Sequence, residues 1–175
     1  HSGGASTTSA DLTVSVVPTV GVPTTDLYSV SAMDAAASHD ADVGDVDETT
    51  PANNDTVDDM TLSPAVAVTG DGYYYGGTTQ FDGILHKIST VGAGTYTITW
   101  QYWDSTVPSW VNLDIWFNEI DSFKNPVGRI QWTAKPALWA TSTIAGLTKY
   151  WVKATITMGT MTTVPKGQRA YIVRY

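Results

Sequence analysis

Most side chains in this chain that could do chemistry carry carboxylates. The run DADVGDVDE sets Asp40, Asp42, Asp45, Asp47 and Glu48 one to three residues apart. Hard oxygens at that density suit Ca²⁺, which takes about six to eight of them. The run is not an EF-hand, because its glycine and closing glutamate stand at the wrong positions. A second group follows in Asn53, Asn54, Asp55, Asp58 and Asp59. The plainer reading of both is a solvated acidic loop. Asn54-Asp55-Thr56 is the one N-x-S/T triplet, which makes Asn54 the candidate glycosylation site.

Catalytic constellations are thin. The histidines are His1, His39 and His86, and only His86 falls in a predicted strand. There a lone imidazole reads as a hydrogen-bonded structural residue. Cysteine is absent, which removes thiol nucleophiles, disulfides and zinc–cysteine sites. No G-x-S-x-G or G-x-x-x-x-G-K-[ST] arrangement occurs. Asp114 with Glu119 or Asp121 could serve a glycosidase in principle, but two carboxylates in a chain of this size arise by chance. The expectation is a non-enzymatic protein with no catalytic residues and no cofactor beyond Ca²⁺.

Aromatic residues are the other chemical resource. Four of the seven tryptophans lie in Gly94–Phe117. Tyr96, Ile98, Trp100 and Tyr102 alternate there with threonines and Gln101, a period of two that marks a half-buried strand. Asp104, Ser105 and Pro108 interrupt the pattern, and Trp110, Leu113, Ile115 and Phe117 resume it. This predicts a hairpin with its loop from about Asp104 to Ser109. Lys149–Met158 is a second strong strand, with Tyr150, Val152, Ala154, Ile156 and Met158 inward. Trp103, Trp116 and Trp151 fall on the polar phase. Outward rings of this kind can stack on sugars, contact another subunit, or pack within the molecule.

These strands must be held by others at short spacing. Thr61–Val68, Tyr73–Tyr75, Gly83–Ser89, Gly128–Thr133 and Gln168–Tyr175 are further candidates, and Pro136–Trp139 reads as one helical turn. Thr and Ser supply 40 residues and Glu only two, a composition of strands rather than helices. The fold expected is all-β, a jelly-roll-like β-sandwich with an extended N-terminal arm. Three regions follow: an arm over 1–33, an acidic low-complexity segment over 34–60, and the sandwich over 61–175. Within the arm, Asp11–Val17 alternates Leu12, Val14 and Val16 against Thr13 and Ser15, a short strand fit to be donated. A weaker strand covers Asp26–Met33. The acidic segment should be disordered in isolation. If ordered, it is held by its own domain, by cations or by a neighbouring subunit.

Charge is divided along the chain. Residues 1–86 carry thirteen Asp and Glu with no Lys or Arg, and residues 87–175 carry nine basic and four acidic groups. This argues against nucleic acid as a partner and suggests that the acidic half meets a cation or the basic half of another copy. No apolar run is long enough to span a bilayer. The start at His1, without Met, reads as a processed secreted chain or the remnant of a tag.

From Asp45 to about residue 160 the landmarks DVDETTPANNDTVDDMTL, GDGYYYGG, FDGILHKISTVGAGTYTITWQYWD and ALWATSTIAGLTKYWVKATIT stand in order. Together they resemble a β-sandwich module of phage and archaeal-virus structural proteins and of microbial surface proteins. The resemblance implies a sandwich fold and a structural setting, and it carries no catalytic motif. The expected function is an extracellular, pilus-like filament subunit that polymerises with copies of itself by donating Leu12, Val14 and Val16 to a neighbour. The alternatives are a virion decoration, tail or fibre protein, and a carbohydrate-binding module for glycan partners.

Overall fold

In a computed structural model of the chain, residues 28–175 are described. The expected donor strand at Leu12, Val14 and Val16 lies outside them. The elements in order are β1 (Ser29–Ala32), β2 (Ala35–Asp40), β3 (Gly44–Asp47), α1 (Thr49–Asn53), β4 (Gly72–Gly77), β5 (Gly83–Thr90) and β6 (Ala93–Gly94). There follow β7 (Thr97–Asp104), β8 (Ser109–Asn112), β9 (Ile115–Asn118), β10 (Val127–Trp132), β11 (Thr141–Ile144), β12 (Leu147–Thr157), β13 (Met161–Thr163) and β14 (Lys166–Arg174).

Two antiparallel sheets face each other. One has the order β1-β14-β5-β10-β9; the other runs β3-β2-β4-β12-β7-β8, with β11 added to β12. A small ribbon pairs β13 with β6. The chain repeatedly crosses from one sheet to the other, at β4 to β5, β8 to β9 and β12 to β14, so this is the β-sandwich that the strand pattern implied.

Alternation places the core. In β12 and β7 the facing pairs are Val152↔Tyr102, Ala154↔Trp100 and Ile156↔Ile98, a small residue opposite the largest one. Trp100, Val152 and Ala154 meet Ile84, Ile88, Ile130, Trp132 and Ile172 from the other sheet in one buried cluster, with Ile98 and Tyr102 packed against it. Two of the three indole N–H groups in this core are used, Trp132 Nε1 donating to the Phe81 carbonyl at 2.7 Å and Trp139 Nε1 to that of Trp151 at 3.1 Å, while Trp100 Nε1 finds no partner among the described residues. Unpaired, each would cost about 1–3 kcal/mol.

Several elements differ from the sequence reading. The second arm of the hairpin is two strands. β8 pairs with β7 in register, Trp103 opposite Trp110. The chain then passes Leu113, which is buried and donates its N–H to the Trp100 carbonyl, and enters the other sheet as β9. Thr61–Val68 is not a strand, because both edges of β4 are already taken by β2 and β12. Its backbone is held locally instead: Thr61 N–H donates to Glu48, and Val68 N–H to Asp71. Pro136–Trp139 closes as a single turn, with Trp139 N–H on the Pro136 carbonyl.

The acidic stretch is part of the sandwich. Ala35, Ala36 and Ala37 are fully buried, and their small side chains let β2 lie flat along the bulky Tyr73–Tyr75 of β4. Asn53 of α1 clamps the entry to β2, accepting Met33 N–H and donating to its carbonyl. The last part of the arm likewise joins the domain, as β1 pairs with β14.

Candidate functional site

The five carboxylates of the proposed Ca²⁺ group are spread out, and four of them are individually employed. Asp40 accepts the N–H groups of Asp42 and Val43, closing the β2–β3 turn. Asp45 lies 2.6 Å from His39 Nδ1. Asp47 accepts the N–H and hydroxyl of Thr49. Glu48 turns inward, is 7% exposed, and accepts Thr61 N–H at 2.7 Å; burial pushes its pKa up. Among the described residues no group of three or more His, Cys, Asp or Glu side chains could hold a metal ion. The reason is the hairpin: an extended strand separates Asp45 from Asp47 by about 7 Å along its axis, whereas a chelating loop must coil around one centre.

The second acidic group is equally dispersed. Asp58 caps Ser89 and Thr90, whose hydroxyls hold its pKa down, and Asp55 pairs with Arg169 at 2.8 Å. Asn54 is half-buried, its amide donating to Asp59 and its oxygen accepting Thr56 N–H. The charge split is partly satisfied inside the chain, since Lys135–Asp82, Arg169–Asp55 and Arg174–Asp34 all join the basic half to the acidic half.

The three outward tryptophans have different fates. Trp151 is fully buried, a correction to its reading as a surface contact. It stands opposite Gly76, where an added Cβ would come within 2.6 Å of the ring. Around it pack Ala35, Ala37 and Tyr74, with Trp110, Ile144 and Leu147 at the margin, and its Nε1 donates to the Ser142 carbonyl. The outer face of this sheet therefore has its own small core. Lys153, on the same face, holds its ammonium 5.4 Å from the Tyr74 ring centre and 6.0 Å from that of Trp110, and burial lowers its pKa. Trp103 is half-buried, edge-on to Trp110 at 5.5 Å. Trp116 alone is open to solvent, 57% exposed. A flat three-ring sugar platform is not assembled from these residues.

One surface cluster has no counterpart in the sequence reading. On the outer face of the five-stranded sheet the Arg129 guanidinium lies between Phe117, at 4.8 Å, and Tyr28, at 5.1 Å. It also donates to the Tyr175 hydroxyl, which in turn donates to Gln131. These residues come from β9, β10 and both ends of the described chain, so no spacing could announce them.

His86 is buried completely between Tyr75 and Phe123, at ring-centre distances of 5.7 and 5.8 Å. Neither ring nitrogen has a hydrogen-bond partner, and burial lowers its pKa to about 3. It is a neutral core residue at physiological pH, held by ring packing and not by the hydrogen bonds expected from the sequence. Its ring is packed tightly enough that a Cβ added at Gly167 would lie 3.0 Å from Cε1.

The remaining sites of interaction are the sheet edges. On one side the sandwich ends in β1 and β3; on the other it ends in β8 and β9. The second side holds a cleft of about 280 Å³ lined by Tyr102, Asn112, Asp114, Thr133, Lys135 and Pro136. That is just below the size of ordinary small-molecule pockets, about 300–1,000 Å³. No protein-family model matches the chain, and no curated protein or solved structure does so.

Proposed function

We propose that this protein is a non-enzymatic extracellular structural subunit that polymerises into a surface filament by strand addition. The segment Asp11–Val17 of one copy would complete a sheet edge of the next, with Leu12, Val14 and Val16 turned toward its interior. What supports this most is the placement of the free edges. The chain enters the described domain at β1, on one side of the sandwich, while β8 and β9 end the two sheets on the opposite side. A donor on one side and an acceptor on the other make a head-to-tail contact, which propagates when its rotation does not close. The likeness of residues 45–160 to virion and surface modules supports the same structural setting.

Deletion of residues 1–20 tests it. The shortened protein is expected to keep its far-ultraviolet spectrum and cooperative melting while losing the filaments that the whole chain forms in negative-stain micrographs. Filaments of unchanged length after deletion refute strand donation. Closed, capsid-like particles from the whole chain would favour the virion reading instead.

A further inference from the structure

We infer that the acceptor edge is β8, Ser109–Asn112, and that its occupant is the Asp11–Val17 segment of a second copy. This rests on the strand-addition reading and names the surface it uses. Exposed edges are normally guarded by charge, by bulges or by the chain itself, and three of the other edges, those of β3, β9 and β1, show such guards. β3 carries Asp45 and Asp47, flanked by Asp42. β9 has a register shift opposite Gln131 and Trp132 that breaks its ladder. β1 is where the chain arrives. β11 exposes only threonines, Thr141 and Thr143.

β8 has none of these protections. Its sequence, Ser-Trp-Val-Asn, is uncharged, and its pairing with β7 is regular over four residues. Val111 stands opposite Tyr102, whose ring packs against the main core, so Val111 lies on the inward face of the sheet. Yet Val111 and Tyr102 are only partly buried, and Tyr102 and Asn112 form a wall of the cleft on this side. The inner layer thus stops short beside β8. An added strand with an apolar residue at every second position would pair with the free backbone of β8 and set those side chains against Val111 and Tyr102. Leu12, Val14 and Val16 have that period. Thr13 and Ser15 would then fall beside Trp110 on the outer face.

Because the chain has no cysteine, a disulfide trap reads this contact directly. Neighbouring antiparallel strands bring facing Cα atoms to about 4.5–5.5 Å, within the span of a disulfide. Val111→Cys is combined in turn with Leu12→Cys, Val14→Cys and Val16→Cys in the full chain and oxidised. The expected result is a ladder of covalent multimers for one of the three pairs, absent from every single-cysteine control. In parallel, Val111→Lys should abolish filaments while leaving the melting curve of the monomer unchanged. Filaments without any crosslink, or a Val111→Lys protein that still polymerises, would overturn the assignment to β8 alone. Crosslinked monomers only would show that the segment binds its own domain. A wild-type chain that forms no filaments would overturn the strand-addition reading itself.

Discussion

Acidification should destabilise this fold through His86, and the size of the effect can be worked out. In the unfolded chain the imidazole titrates near 6.5, whereas in the core it does so only near 3. The folded state therefore binds fewer protons between these values, and stability present above pH 6.5 is lost as pH falls toward 3. Each unit of separation is worth about 1.36 kcal/mol, so the loss is about 2 kcal/mol at pH 5 and between about 4 and 5 kcal/mol as pH nears 3. No group offsets it locally: Tyr75, Phe123 and Met60 surround the ring, and neither nitrogen has a partner. Urea unfolding of wild type and His86→Leu at half-unit steps from pH 7.5 to 4.5 measures it. Leu is apolar, does not titrate and has a similar volume, so the stability difference between the two proteins should move in favour of the variant by about 2 kcal/mol between pH 7 and 5. Every other titrating group is common to both proteins, so its contribution cancels in the difference. Parallel pH profiles would refute the reasoning, since they would mean that the core accommodates the imidazolium.

Two further outcomes follow from the packing. Asp121, Ser122 and Phe123 are consecutive non-glycine residues in the left-handed region, with φ of 42°, 57° and 63°. Ser122→Gly should therefore raise stability by about 1 kcal/mol or less, after the added entropy of the unfolded glycine is counted, whereas Ser122→Ala should not; thermal melts compare them. Trp151→Ala should cost about 3–5 kcal/mol, because it empties a fully buried seat over Gly76, while Trp116→Ala at an exposed position should stay within about 0.5 kcal/mol of wild type. Equal effects in urea unfolding would contradict the burial of one ring and the exposure of the other.

The alternation of β7 and β12 was legible because a strand buried on one face must repeat every second residue. Ile98, Trp100, Tyr102, Val152, Ala154 and Ile156 accordingly lie where the period puts them. The same rule failed for Trp151. Period two says which side of the sheet a ring is on, but it cannot say whether something else covers that side. The cover came from Ala35 and Ala37, distant in sequence, from Ile144 of the adjoining hairpin, and from the missing side chain of Gly76. For 34–60, composition left the support open between its own domain, cations and a neighbouring subunit, and β2 lies on its own domain. High charge and low hydrophobicity describe a chain that cannot build its own core, yet β2 only had to lay three alanines along a sheet already built by β4 and β12.

By itself the sequence determined the fold class, the inward faces of the long strands, and the absence of any thiol chemistry, because these depend on residue type and local period. The tertiary structure decided what the acidic residues do. Spacing brought Asp40, Asp42, Asp45, Asp47 and Glu48 close along the chain, but the β2–β3 hairpin stretched them out and gave Asp40, Asp45, Asp47 and Glu48 each its own local task. It also decided which edges are free, since an edge is defined by the strands that do not pair with it, and those lie far away in sequence. The uncharged edge of β8 could be recognised only once β7 had taken one side of it and no other strand among the described residues had taken the other.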